Sequence, residues 1–201
     1  MKTTIHNFEQ RSKEWYAIRV GKSGGSEAIG LTTPARMETL LYKKVAEIQT
    51  GEQEEVKVTQ AMQEGIDKEP IARERYERDN FTQVDQVGYI TNSDYKYIGL
   101  SPDGLVGDNG AIEIKCPQPK AYAKIVIKNE VPKEYQPQLA QTFLVIPELE
   151  WIDFVAFNEK FKSKPTVTIR VTREDFSSEI SKHEKGYATY ETKLTELLTK
   201  F

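Results

Sequence analysis

The segment SPDGLVGDNGAIEIKCP, residues 101–117, constrains this chain more than any other. Two short β-rich runs flank Gly107-Asp108-Asn109-Gly110, residues that suit a tight turn, so the segment reads as a β-hairpin. Successive side chains on a strand point to opposite faces, which sends Ile112 and Ile114 one way and Glu113 and Lys115 the other. One face is then core and the other carries charge. Asp103 follows Pro102 at the turn-like end of the neighbouring run, with nine residues between it and Glu113, a separation at which a hairpin folds one beside the other. Two carboxylates placed like this can share a divalent cation, and an amine beside them can orient a water or stabilise charge building on a phosphate. The plainer alternative is a surface strand with an ordinary alternation of Glu and Lys.

Composition narrows the chemistry. Cys116 is the only cysteine, which excludes intrachain disulfides and a cysteine-rich zinc site and fits a reducing compartment. The only histidines, His6 and His183, lie far apart without motif spacing, so a metal here is expected on oxygen ligands, which points to Mg²⁺ or Mn²⁺. The 201 residues suffice for one core and are read as a single domain, 1–201. No apolar run approaches the roughly 20 residues of a membrane span, and MKTTIHNFEQRSKEW lacks the apolar centre of a signal peptide, so the expected location is the cytoplasm, away from any membrane. The net charge of −3 argues mildly against a protein that coats nucleic acid, yet residues 1–44 hold a basic excess and residues 45–80 are acidic. That split fits either a basic groove beside a carboxylate cluster or unevenly spread solvated charge.

The remaining chain predicts a mixed α/β sandwich. Thr33-Pro34, the stripe Met37, Leu40, Leu41, Val45 and Ile48, and then Gly51 describe an N-capped helix with a glycine stop. Residues 59–79 are helical again, with Met62, Ile66, Ala72 and Tyr76 on one face and Pro70 kinking or restarting the helix. Glu69 falls on that same face, where it needs a partner, either an arginine or a metal shared with the hairpin. From Phe81 the runs FTQVDQVGYI, KYIGLSPDGLV and AIEIKC read as an antiparallel meander. KEYQPQLAQTFLV is read as a helix despite Pro137, WIDFVAF and TVTIRV as strands, and Thr172 with Asp175 as the cap of a last helix striped by Phe176, Ile180, His183, Tyr187, Leu194 and Leu197.

Four segments in order, EWYAIRVGKSGGSEA, GIDKEPIARERYE, SPDGLVGDNGAIEIKCP and EYQPQLAQTFLV, resemble the lambda exonuclease (YqaJ-type viral recombinase) branch of the PD-(D/E)xK nucleases over roughly residues 8–157. SPDG followed by EIKCP is specific to this branch; the Asp, Glu, Lys pattern alone marks only the superfamily. The resemblance implies an α/β (α+β) restriction-endonuclease-like core, a central mixed β-sheet flanked by helices. It implies a Mg²⁺-dependent 5′-to-3′ exonuclease, with Mn²⁺ able to substitute, that degrades one strand of linear double-stranded DNA in phage-type recombination. A ring-shaped homotrimer, a single-strand annealing protein as partner, and a phage or prophage origin in a bacterial host come with it. By the same resemblance Asp103, Glu113, Glu69 and the carbonyl of Ile114 bind metal, Lys115 positions the nucleophilic water, and Gln138, three residues after Tyr135, supports the scissile phosphate or Lys115. Arg19, Ser26 and Ser101 match the positions that recognise a 5′-terminal phosphate, and Arg36 and Lys120 are offered as strand contacts.

Each residue has a second reading. Arg19 can pair with a neighbouring acid, and Ser26, after Gly24-Gly25, can simply cap a short helix instead of presenting free N–H groups to an anion. Trp15 and Tyr16 can stack on bases or pack in the core. Pro137, immediately before Gln138, threatens the helix that should present it. At the level of the whole chain the alternatives are a restriction or junction-resolving endonuclease of the same superfamily and a non-catalytic module that binds DNA ends.

Overall fold

The turn at residues 107–110 does close a hairpin, with Gly107 at φ 58°, the left-handed region that glycine enters without a Cβ penalty. The computed structural model describes residues 2–54 and 57–201. Its elements run β1 (Thr3–His6), α1 (Lys13–Arg19), a 3₁₀ turn (Gly25–Glu27), α2 (Ile29–Thr32), α3 (Pro34–Thr50), α4 (Gln60–Asn80), β2 (Tyr89–Asn92), β3 (Gly104–Val106), β4 (Gly110–Lys115), α5 (Pro119–Lys128), α6 (Gln136–Val145), β5 (Trp151–Phe157), β6 (Thr166–Thr172) and α7 (Ser177–Leu198). Among the described residues no helix is long and apolar enough to cross a membrane.

The main sheet has the order β3-β4-β5-β6 and is mixed: β4 pairs antiparallel with β3 and parallel with β5, and β5 pairs antiparallel with β6. Parallel pairing buries β4 on both faces. Ile112 and Ile114 pack with Ala72 and Tyr76 of α4, together with Val106, Val155 and Phe157. The alternate positions Ala111, Ile152, Phe154 and Ala156 join the larger core built with α3, α5, α6 and α7. The expected alternation along β4 holds, but the face carrying Glu113 is roofed by protein, and Glu113 is only 4% exposed.

The anticipated three-strand meander is corrected. Phe81 is the left-handed cap of α4, β2 pairs with β1 in a separate two-stranded sheet, and among the described residues the first two expected strands are tied only by isolated antiparallel bridges, Ile90–Leu100 and Asp85–Leu105. The pairing of residues 3–6 with 89–92 has no local signature, because nothing within either run names its partner.

Two proline expectations resolve differently. α4 runs through Pro70 without a break, and its stripe is shorter than expected, since Ala72 and Tyr76 are buried while Met62 is 44% exposed. In α6 Pro137 stands in the first turn, where its missing N–H has no intrahelical acceptor to lose, so the helix that presents Gln138 is intact. Thr33 occupies the N-cap of α3 without a side-chain bond, and Gly51 ends that helix at φ 75°. Thr172 and Asp175 bond one another in the turn before α7, while Phe176 holds the N-cap position itself.

Candidate active site

The hairpin delivers its charged residues to one place. Asp103 directly precedes β3, and its carboxylate accepts the N–H of Ile114 at 2.6 Å, so the acid lies against β4 two residues beyond the last β3 pairing at Ile112. Glu113 Oε1 accepts from Lys115 Nζ at 2.6 Å and from Gln138 Nε2 at 2.6 Å. The Lys115 ammonium also sits 5.4 Å from the ring centroid of Tyr135, which itself packs on Phe154. Strand, helix and aromatic floor together fix one carboxylate and one amine.

Glu69 reaches this neighbourhood from α4. Its carboxylate pairs with Arg73, one turn on, and Arg73 Nε donates to the Asp103 carbonyl at 3.0 Å. Of the two expectations for Glu69, the arginine partner is the contact formed. The same arginine brings α4 to the hairpin, and the Glu69 charge is felt at Asp103. No three His, Cys, Asp or Glu side chains among the described residues already surround a single ion position.

The electrostatics are tense. Burial raises the Asp103 pKa well above the ordinary carboxylate value, and the negative charges of Glu113 and Glu69 push the same way, opposed by Lys115 and the Ile114 N–H. Burial works to lower the Lys115 pKa, but the Glu113 and Asp103 charges outweigh it and hold the amine above its usual value. Lys115 is therefore a cation at neutral pH. Cys116, next along, is pushed up to about 11 by burial and is no nucleophile.

A second group of residues adjoins the first. Arg19 ends α1 with its guanidinium 4.0 Å from the Trp15 ring centroid and 5.6 Å from that of Tyr89. Trp15 Nε1 donates to Ser101 Oγ at 2.8 Å, and Ser101 donates to the Gly88 carbonyl at 2.6 Å. Trp15 is thus neither free to stack nor purely core: it is the plate that joins Arg19 to Ser101. Tyr16 is exposed and meets Trp15 edge to face. Ser26 lies exposed in the 3₁₀ turn, whose preceding residue Gly24 packs beside Arg19: a Cβ there would stand 3.4 Å from Nη2.

One side chain links the two groups. A Cβ on Gly25 would stand 3.1 Å from Gln138 Nε2, so the turn carrying Ser26 rests on the same carboxamide that holds Glu113. Arg36 and Lys120 are exposed on the first turns of α3 and α5, and among the described residues no bond ties either to Asp103 or Glu113. The sequence reading missed Tyr135 as the floor under Lys115 and missed Gln141, which donates to the carbonyls of Ser23 at 3.0 Å and Gly99 at 3.1 Å. A glutamine inside an apolar helix run was the available signal for Gln141.

The chain is similar to known proteins in both sequence and fold. The model of the YqaJ-like viral recombinase domain matches residues 14–146. LHK-Exo, an alkaline exonuclease from Laribacter hongkongensis, is 30% identical over 94% of this chain and 97% of its own, with a TM-score of 0.81. Its complex with dAMP superposes with a TM-score of 0.86 at 29% identity, covering 94% of this chain and 95% of that one. A phage related exonuclease from Haemophilus somnus 129PT shares the fold at 14% identity, with a TM-score of 0.55 and 97% of each chain covered. No curated protein matches the chain. The fold is restriction-endonuclease-like, as the sequence led one to expect.

Proposed function

We propose, on the premise that this chain belongs to the YqaJ-like viral recombinase family, that it is a Mg²⁺-dependent exonuclease acting 5′ to 3′ on linear double-stranded DNA. The observation that carries the reading is the position of Gln138. Its carboxamide touches both Glu113 and the turn that leads to Ser26, so a phosphate anchored by Arg19 lies one side chain from the charged hairpin. An enzyme that cuts at a terminus needs its end-anchoring and bond-cleaving groups in fixed relation; an interior cutter does not.

The donor set suits the metal. Glu69, Asp103, Glu113 and the Ile114 carbonyl offer only oxygen, and burial together with the charges of Glu113 and Glu69 makes an ionised Asp103 costly, a cost that a hard divalent cation relieves. Mn²⁺ is expected to substitute. When bound, the metal supplies Lewis-acid stabilisation to the phosphate. The chain's own part follows from its contacts: Lys115, held cationic by Glu113, orients water and stabilises phosphate charge, and Gln138 restrains Glu113. Arg19, Ser26 and Ser101 are the proposed receptors of the 5′-terminal phosphate, Ser101 by turning toward the anion the one hydroxyl hydrogen it gives to Gly88. The relative from Laribacter hongkongensis was solved in complex with dAMP, and a mononucleotide is what stepwise cleavage of this kind releases. A homotrimer and a single-strand annealing partner, in a phage-encoded system, complete the proposal.

The test is Mg²⁺-dependent digestion of linear duplex DNA bearing a 5′-phosphate or a 5′-hydroxyl, with a closed circle as control. Loss of the 5′ strand from phosphorylated ends, with circles untouched, is expected. Cut circles would indicate an endonuclease instead, and binding without hydrolysis a DNA-end module.

A further inference from the structure

Behind the turn that carries Ser26 lies a charged cluster that, among the described residues, makes no bond to Asp103, Glu113 or Lys115. Lys44 and Glu47, both on α3, are 1% and 2% exposed. Lys44 Nζ contacts Glu47 Oε1 at 2.9 Å and Glu27 Oε2 at 3.0 Å, and Lys43 Nζ contacts Glu27 Oε1 at 2.8 Å. Taking such ions out of water is costly, and well-packed apolar residues usually stabilise a fold as well or better. Stability alone therefore does not account for this cluster.

What the carboxylates hold is specific. Glu47 Oε2 accepts the N–H of Gly21 at 3.0 Å, and Glu27 Oε2 accepts the N–H of Gly24 at 3.1 Å. Those glycines bracket the short link from Arg19 at the end of α1 to Ser26 in the 3₁₀ turn. The link is clamped from the other side as well: Gly21 adopts φ +70°, and a Cβ there would stand 2.5 Å from Ile48 of α3. Gly24 abuts Arg19, so a shift of the link at this glycine displaces the guanidinium, while Gln138, beside Gly25, keeps its own bond to Glu113.

We infer that Lys44, with Glu27 and Glu47, forms a positioning centre that sets the discrimination between 5′-phosphorylated and 5′-hydroxyl DNA ends without touching DNA. Lys44 bridges the two glutamates, with Lys43 as a second partner of Glu27, and so holds both carboxylates in place as acceptors for the two glycine N–H groups. The inference rests on Arg19 and Ser26 receiving the terminal phosphate.

The experiment measures digestion rates of the full chain on 5′-phosphorylated and 5′-hydroxyl linear duplexes with Mg²⁺, for the unaltered protein, Arg19→Ala, Lys44→Met, Lys44→Arg and Glu27→Gln. A small positional error at a site can cost up to about a hundredfold, so in Lys44→Met the phosphate-to-hydroxyl rate ratio is expected to fall by about tenfold, through KM for the phosphorylated end. The 5′-hydroxyl rate should stay within about threefold, whereas general unfolding would lower both rates alike. Lys44→Arg, which keeps the charge, should recover most of the ratio. If Lys44→Met does not fold, Glu27→Gln decides, because it keeps an acceptor for Gly24 but removes the charge; it should lower the ratio too. An unaltered protein without preference for phosphate, indifferent to Arg19→Ala, overturns the terminal-phosphate reading itself. A clear preference lost in Arg19→Ala but kept in both Lys44→Met and Glu27→Gln overturns the positioning centre alone.

Discussion

His183 makes acid stability a direct test of how this core is assembled. It is 1% exposed on α7, with Nε2 3.2 Å from Gln141 Oε1 and Nδ1 without a partner among the described residues. Gln141 spends its amide hydrogens on the carbonyls of Ser23 and Gly99, so its oxygen must accept, which assigns the imidazole proton to Nε2. Burial lowers the His183 pKa from the ordinary 6.5 to about 4. For a base depressed in the folded state, the unfolded chain binds more protons between those two values, so stability is full above 6.5 and is lost as pH falls toward 4. The linkage relation gives a loss of about 2 kcal/mol at pH 5 and about 3 kcal/mol at pH 4 from this one ring. The variant His183→Gln retains a donor for Gln141 and does not titrate. Urea unfolding followed by Trp15 and Trp151 fluorescence, stepped from pH 7 to pH 4, should show the unaltered protein losing about 3 kcal/mol more than the variant. Carboxylates common to both proteins cancel in that difference. A difference independent of pH would refute the burial argument.

Three further outcomes follow from the site. Lys115→Ala should keep the fold but lower Mg²⁺-dependent cleavage by more than about a hundredfold, and near-normal hydrolysis would dismiss its proposed role. Gln138→Ala removes a hydrogen bond to a charged group, worth about 1.5–3 kcal/mol of folded-state stability, so urea unfolding should show a loss of that size, and single-turnover cleavage should slow because Glu113 loses its restraint. Asp103→Asn should abolish cleavage yet raise the melting temperature at neutral pH in chelator. The reason is that the folded pKa of Asp103 lies above 3.8, the folded state holds the extra proton, and stability falls as pH rises through the folded value; the variant's advantage should disappear below pH 3.8.

The hairpin was legible because its signals are local: turn residues at fixed positions, period-two alternation, and an acid placed where the strands meet. The same holds for α3, bounded by Pro34 and Gly51. What stayed hidden depends on residues distant in sequence. The parallel pairing of β4 with β5 follows a crossover through α5 and α6, and nothing in AIEIKC reports whether its second face is roofed. α5 was missed because PKAYAKIVIK combines a β-branched run with only two buried residues, Tyr122 and Ile125. The stripe of α4 was overread, since Arg73, which a hydrophobic count excludes, is what docks that helix to Asp103. At the site, the acids and Lys115 could be named from motif alone, whereas Tyr135, Gln141 and the Lys44 cluster act through neighbours up to 118 residues away.

Those hidden contacts converge on α6. Gln138 and Gln141 stand three residues apart, on adjoining positions of one helix face. The first holds Glu113 and carries the weight of Gly25; the second takes the carbonyls of Ser23 and Gly99, the latter two residues before Ser101. A single short helix thus registers the charged hairpin, the link to Ser26 and the segment leading to Ser101 against one another. Arg173 secures the far end of the helix by donating to the carbonyls of Phe143 at 3.0 Å and Ile146 at 2.9 Å, groups a helix end leaves open. Glutamine suits both positions because it donates and accepts without adding charge beside Glu113, whereas a carboxylate at residue 138 would deepen the repulsion already felt by Asp103. The spacing between the proposed phosphate receptor and the charged hairpin is therefore set through α6, and a change that loosens α6 should blur end recognition and hydrolysis together.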